Sequence, residues 1–236
     1  MASNHSIIAP QIIYEDRQLV VALKPQGWLS QPDGGPRLSM LDWVKEREVK
    51  NRALTGRAYA GLCHRLDCFA SGVMVLAKTS KCASRLSEQF RCRSVNKIYL
   101  ALCLGQPLED EALAENYLVR EGRLTRASVD GADKRGKLSQ LCYRLLQKGT
   151  LANRLSALLE VKLLTGFKHQ IRYQLSALGL PLWGDSLYGG PPAPENVMAI
   201  GLFAHKLSFN HPIDGRRLSF EVQPGPIWPF KAFKAF

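Results

Sequence analysis

The stretch that most constrains this chain is LCHRLDCFASGVMVLAK, residues 62–78. A polar cluster, His64-Arg65-Leu66-Asp67, leads through the small residues Ala70-Ser71-Gly72 into an apolar run ending at Ala77. An apolar run bounded by turn residues reads as a buried strand. The turn before it carries one carboxylate close to an arginine. Enzymes often hold a catalytic acid at such a strand end: the strand fixes the side chain and the turn leaves it open to substrate. An aspartate in a turn also serves by hydrogen bonding to nearby backbone. Asp67 therefore has a structural role open to it as well as a chemical one.

On either side of this centre the pattern is one of short strands with few helices. QIIY and LVVALK, within residues 11–24, read as two strands joined by the turn formers Glu15-Asp16-Arg17, and Pro25 and Gly27 end the second. SQPDGGPR (30–37) is a loop, and a helix follows from Met40 to about Lys50 with Ser39 as its N-cap. Thr79-Ser80 caps a second helix, to about Arg91, whose Ala83, Leu86 and Phe90 form one apolar face. In KIYLALCLG (97–105) the alternation sends Ile98, Leu100 and Leu102 to the core and Lys97, Tyr99 and Ala101 to the other face.

Residues 106–139 look least regular, and their basic stretch 120–137, REGRLTRASVDGADKRGK, reads either as a solvated loop or hairpin or as a phosphate-contacting arm. Strands at about 140–147 and 154–164 follow, with Gly149 and Asn153 in the turn between them. A third helix starts near Lys168, buries Ile171, Leu175 and Leu178, and groups His169, Arg172, Tyr173 and Ser176 on another face. Gly179 ends it. An arginine so near the start of a helix opposes the dipole, which points to a specific anionic partner, with a plain surface arginine as the simpler alternative. Gly184-Asp185 and Tyr188-Gly189-Gly190 form a glycine-rich turn that lacks the Gly-Lys-Ser/Thr ending of a P-loop. Strands at roughly 199–209 and 217–222 close the pattern, and the tail 225–236 covers a sheet edge or is disordered.

Thirty-two Lys and Arg against twenty Asp and Glu leave a formal charge of +12, an excess that favours a polyanionic partner such as nucleic acid. Six cysteines show no C-x-x-C pair and no partnered histidine spacing, which argues against a zinc site or a disulfide framework. No apolar run approaches a membrane span, and the first ten residues lack the pattern of a secretory signal. These features point to a reduced, metal-free cytoplasmic protein, and no obligate protein partner is evident. No linker divides the chain, so residues 1–236 read as a single domain.

Three stretches in this order, HRLDCFASGVMVLAK (64–78), KIYLALCLG (97–105) and TGFKHQIRYQLSALGLPLWGDSLYG (165–189), resemble the RluA family of pseudouridine synthases. YEDRQLVVALKPQGW (14–28) is similar to the start of that family's catalytic domain. The resemblance implies isomerisation of a uridine in ribosomal or transfer RNA to pseudouridine, without cofactor or metal; a monomer is expected, with the oligomeric state left open. It places Asp67 at the catalytic aspartate, acting either as nucleophile at the anomeric carbon or as the base that removes the neighbouring sugar proton. Tyr99 matches the tyrosine that stacks on the target base, and Arg172 the arginine that pairs with the aspartate. Arg65 matches a residue that fills the gap left by an extruded uridine, whose flipping costs a few kcal/mol. His64 reads as structural, with a direct chemical role as the lesser alternative.

The sequence departs from the family at Ala70, where Thr is usual, at Cys68-Phe69, at Phe167-Lys168, and at Gln174, where His is common. All lie beside the chemistry and bear on substrate preference. The small N-terminal RNA-binding domain of many relatives is not expected. Both routes lead to an α+β fold: a mixed, mostly antiparallel β-sheet with flanking helices and, by resemblance, a central RNA-binding cleft. The alternative to an isomerase is a catalytically silent RNA-binding protein of the same fold.

Overall fold

The computed structural model describes residues 8–51, 53, 55–56, 58–128, 135–193, 199–225 and 233–235. The first seven residues, residues 129–134 of the basic stretch and residues 226–232 and 236 of the tail lie outside them, and so do the expectations that fall there. The described residues form two compact units: one up to Val95 together with Lys206–Val222, the other Asn96–His205 with the chain from Gln223. The architecture is α+β, with antiparallel ladders throughout the strand pairs described below.

In the first unit β1 (Gln11–Glu15) and β2 (Leu19–Lys24) form a hairpin. The Asp16 carboxylate builds its turn by accepting the N–H groups of Gln18 and Leu19 at 2.7 and 2.9 Å. β2 runs antiparallel to β4 (Ser71–Ala77), in register from Leu19↔Ala77 to Lys24↔Gly72, and the short β3 (Gly61–Leu62) pairs with the end of β4. Every residue of β4 is buried, as its unbroken apolar run requires. α1 (Met40–Asn51) is capped by Ser39, whose hydroxyl accepts the Asp42 N–H. α2 (Ser80–Arg91) is capped by Thr79 and docks on the turn after Asn210, where Arg85 donates to the Pro212 carbonyl at 2.7 Å. Buried Lys78 joins Glu15 and Glu48 at 2.9 and 2.7 Å and so ties α1 to β1.

In the second unit the strands β5 (Asn96–Leu104), β6 (Glu111–Glu121), β7 (Leu124–Ala127), β8 (Lys137–Leu151) and β9 (Arg154–Leu163) are ordered β5-β9-β8-β6-β7. α3 (Gln170–Ala177) packs on β6 and β7, and a short 3-10 turn covers Ser186–Tyr188. β10 (Leu202–Asn210) begins in this unit and ends in the first, where Lys206–Asn210 pairs with β11 (Arg217–Glu221). β12 (Lys234–Ala235) pairs with Thr150 and Gly149 of β8, so part of the tail does add to a strand.

Four expectations change here. Within 106–139, residues 111–121 and 124–127 are regular strand: β6 alone covers eleven residues, its alternate positions exposed, an alternation that the charges of this stretch conceal. The basic segment begins as a hairpin, β6 to β7, around Gly122-Arg123. From Tyr99 onward β5 is buried on both faces rather than one. Gly149 lies inside β8, and the turn is made by Ala152-Asn153, both at positive φ, as a two-residue hairpin prefers. Leu178 is exposed, because the helix ends at Ala177 and Leu178 no longer follows its buried stripe.

Candidate active site

The Asp67 turn is held from beneath. The Ala70 N–H donates to the Asp67 carbonyl at 3.1 Å, which puts Cys68 and Phe69 at the corner. The Ser30 hydroxyl donates to the Leu66 carbonyl at 2.8 Å and accepts the Leu66 N–H at 3.0 Å. The Cys68 carbonyl accepts the Gly27 N–H at 2.9 Å, and the Cys68 thiol donates to the Gly27 carbonyl at 3.3 Å.

Lys24 completes the support. It ends β2, is wholly buried, and donates its ammonium to the carbonyls of Pro25 and Ala70, each at 2.8 Å, and of Cys68 at 3.2 Å. It therefore grips the turn on both sides of Phe69. Burial pushes its pKa down to about 7, against the opposing pull of Cys68 and Asp67. On this pinned backbone Leu66 and Ala70 point inward, Asp67 is half-buried and Arg65 is exposed. His64 is engaged locally: its Nε2 accepts the Val75 N–H at 3.0 Å and its ring stacks on Phe90 at 4.6 Å. That agrees with a structural part for this histidine.

The second unit presents Tyr99 and Arg172. Tyr99 lies on β5 opposite Val161 of β9 and is buried. α3 is fixed to β8 through Gln170, whose amide donates to the Gln140 carbonyl at 3.0 Å while its oxygen accepts the Phe167 N–H and the Thr165 hydroxyl. Arg172, in the first turn, is buried and meets the anionic partner that its position demanded: Asp185. The pairing is a side-on fork, Nε to Oδ2 and Nη2 to Oδ1, both at 2.7 Å. Tyr188 places its ring 5.1 Å from the guanidinium carbon.

The substituted Gln174 is fully buried and donates to the Ser139 carbonyl and to Asn116 Oδ1, each at 3.0 Å. It locks α3 to β6 and β8 and so acts on the fold. Among the described residues, no group of three His, Cys, Asp or Glu side chains is placed to hold a metal ion.

Arg65 and Asp67 thus share one turn, while Tyr99 and Arg172 are presented by a strand and a helix of the other unit. Sequence reasoning missed Lys24 and left Asp185 and Tyr188 without a role. The signal for the first was a lysine closing an otherwise apolar strand. For the others it was the Gly-Asp-x-x-Tyr-Gly spacing.

The fold is that of pseudouridylate synthases. The solved structure of Human RNA Pseudouridylate Synthase Domain Containing 4 superposes with a TM-score of 0.76 at 24% identity, covering 92% of this chain and 90% of that one. Residues 18–177 match the family model for RNA pseudouridylate synthase, and the chain belongs to that family of RNA-modifying isomerases. Among its relatives is Ribosomal large subunit pseudouridine synthase D of Pseudomonas aeruginosa, 33% identical over 225 residues, covering 89% of this chain and 67% of the relative. Another is Dual-specificity RNA pseudouridine synthase RluA of Salmonella typhi, 32% identical over 211 residues, covering 89% of this chain and 91% of the relative. The chain spans about two thirds of the length of the first relative and most of the second. No helix among the described residues is long and apolar enough to cross a membrane.

Proposed function

We propose that this chain, acting as one catalytic domain, isomerises a specific uridine of ribosomal or transfer RNA, with Asp67 as its catalytic carboxylate. The observation that carries the assignment is the Asp67 turn. Its backbone is pinned by Lys24, Gly27 and Ser30, while the aspartate stays half-buried with exposed Arg65 two residues away. A carboxylate that must work beneath a glycosidic bond needs that combination of fixed backbone and open side chain. The target class follows the names of the relatives, one ribosomal and one of dual specificity.

In this reading Asp67 attacks the anomeric carbon or removes the adjacent sugar proton. The carbon–nitrogen bond breaks, the base rotates, and a carbon–carbon bond forms at position 5 with loss of that carbon's hydrogen as a proton. Tyr99 supplies the face on which the base stacks, and Arg172 is the cationic partner of the carboxylate. Arg65 takes the place of the extruded uridine in the RNA.

The test is tritium release from RNA labelled at uridine carbon 5. The unaltered chain is expected to release tritium, Asp67→Asn and Asp67→Ala to release none, and both variants to keep RNA affinity within several-fold. Undiminished release by the aspartate variants refutes the catalytic assignment. A protein that binds RNA without turnover releases no tritium in any form.

A further inference from the structure

The Gly184-Asp185-x-x-Tyr188-Gly189 segment has no part in the chemistry just described, yet the geometry directs it at Arg172. An arginine in the first turn of a helix faces the positive end of the dipole, and burial adds a desolvation cost. Asp185, 1% exposed, offsets both with its two-bond fork. Simple neutralisation of charge needs no more than that.

The segment does more. The Tyr188 ring lies against the guanidinium, and Tyr188 is itself held at three points. Its hydroxyl accepts the Thr125 N–H at 2.8 Å and meets His169 Nδ1 at 2.9 Å, and its carbonyl accepts the Ser176 hydroxyl at 2.6 Å. Asp185 is fixed through its backbone as well: its carbonyl accepts the N–H groups of Tyr188 and Gly190 at 3.1 and 2.9 Å. The turn closes this tightly because Gly190 has no side chain. A Cβ there would lie 2.1 Å from the Leu182 carbonyl oxygen.

The fork occupies Nε and Nη2, so the Nη1 edge is directed away from Asp185. We propose that Asp185 is a positioning residue that, with Tyr188, sets the orientation of the Arg172 guanidinium before RNA binds. This rests on the reading that Arg172 serves turnover. Donors whose direction is set in advance need not reorganise as charge develops, and misplacement by about 1 Å can cost about a hundredfold in rate.

The experiment compares Asp185→Asn, Arg172→Ala, Arg172→Lys and the Arg172→Ala/Asp185→Asn pair in the full chain. Single-turnover rates, RNA affinity by filter binding and melting curves are recorded for each. Asp185→Asn is expected to lose roughly a hundredfold in rate at saturating RNA with affinity within about threefold. Arg172→Lys keeps the charge beside Asp185 but has no fork, and should lose as much while remaining folded.

The decisive arm is rescue of Arg172→Ala by millimolar guanidinium. Rescue should saturate, should fail with ammonium, and should vanish when Asp185→Asn is added. A folded Asp185→Asn with near-normal rate overturns the positioning role. Should that variant fail to fold, rescue of Arg172→Ala by ammonium as good as by guanidinium, or no rescue, overturns it. A fully active Arg172→Ala overturns the role of Arg172 itself, and this inference with it.

Discussion

Replacing Lys24 by methionine tests whether a buried ammonium supports the Asp67 turn. The ordinary lysine value is 10.5, and burial lowers that of Lys24 to about 7. Between those two values the unfolded chain binds a proton that the folded chain does not. Folding stability due to this group therefore rises with pH across that window, by about 1.4 kcal/mol per pH unit. From about pH 7 to about pH 9.5 the gain approaches about 3 kcal/mol. Below about pH 6 both states carry the proton, and the contribution is flat.

Lys24→Met removes the titration. It also takes the donor away from the Pro25 and Ala70 carbonyls, at about 1–3 kcal/mol for each buried acceptor left unpaired, whereas the Cys68 carbonyl keeps Gly27. Urea unfolding of both proteins, followed by circular dichroism at a series of pH values from about 5.5 to 9.5, gives the difference in stability. Titrating groups that do not interact with Lys24 cancel in that difference. It should be level at low pH and then climb by about 3 kcal/mol in favour of the lysine protein. A difference that stays constant across the series would show that the ammonium is not held as described.

Three further outcomes follow from named contacts. Tyr99→Phe should keep RNA affinity, since base stacking worth about 1–3 kcal/mol needs only the ring, while product formation slows; a strong loss of affinity in filter binding would contradict this. Glu substitution at exposed Arg120, Arg123 and Arg126 should flatten the salt dependence of RNA binding, and an unchanged slope would exclude the β6–β7 hairpin from the contact surface. Thr79→Ala removes the hydroxyl that accepts the Cys82 N–H at 3.2 Å and should cost about 1 kcal/mol in urea unfolding.

The elements read correctly from the sequence are those whose signal is local. The apolar run of β4 is buried at every position, and Ser39 and Thr79 cap α1 and α2 as their spacing requires. Asp16 turns the first hairpin with its own side chain. β6 is hard to read locally because its outward positions mix the charges of Glu111 and Glu115 with exposed Leu113 and Tyr117, which blurs the apolar–polar alternation. β5 was assigned one open face because alternation distinguishes the two sides of a strand without revealing that both are covered.

The family motifs, the place of Asp67 ahead of its strand, and the need of Arg172 for an anion were all present in the order of the residues. Each depends on neighbours within a few positions or on a helix terminus. Tertiary structure alone decided that Lys24, more than forty residues before Ala70, lies under the Asp67 turn. It likewise selected Asp185, thirteen positions beyond Arg172, as the carboxylate that forks it. The physical reason is that a buried charge is tolerable only where folding has already gathered its partners, and which residues are gathered is a property of packing between elements.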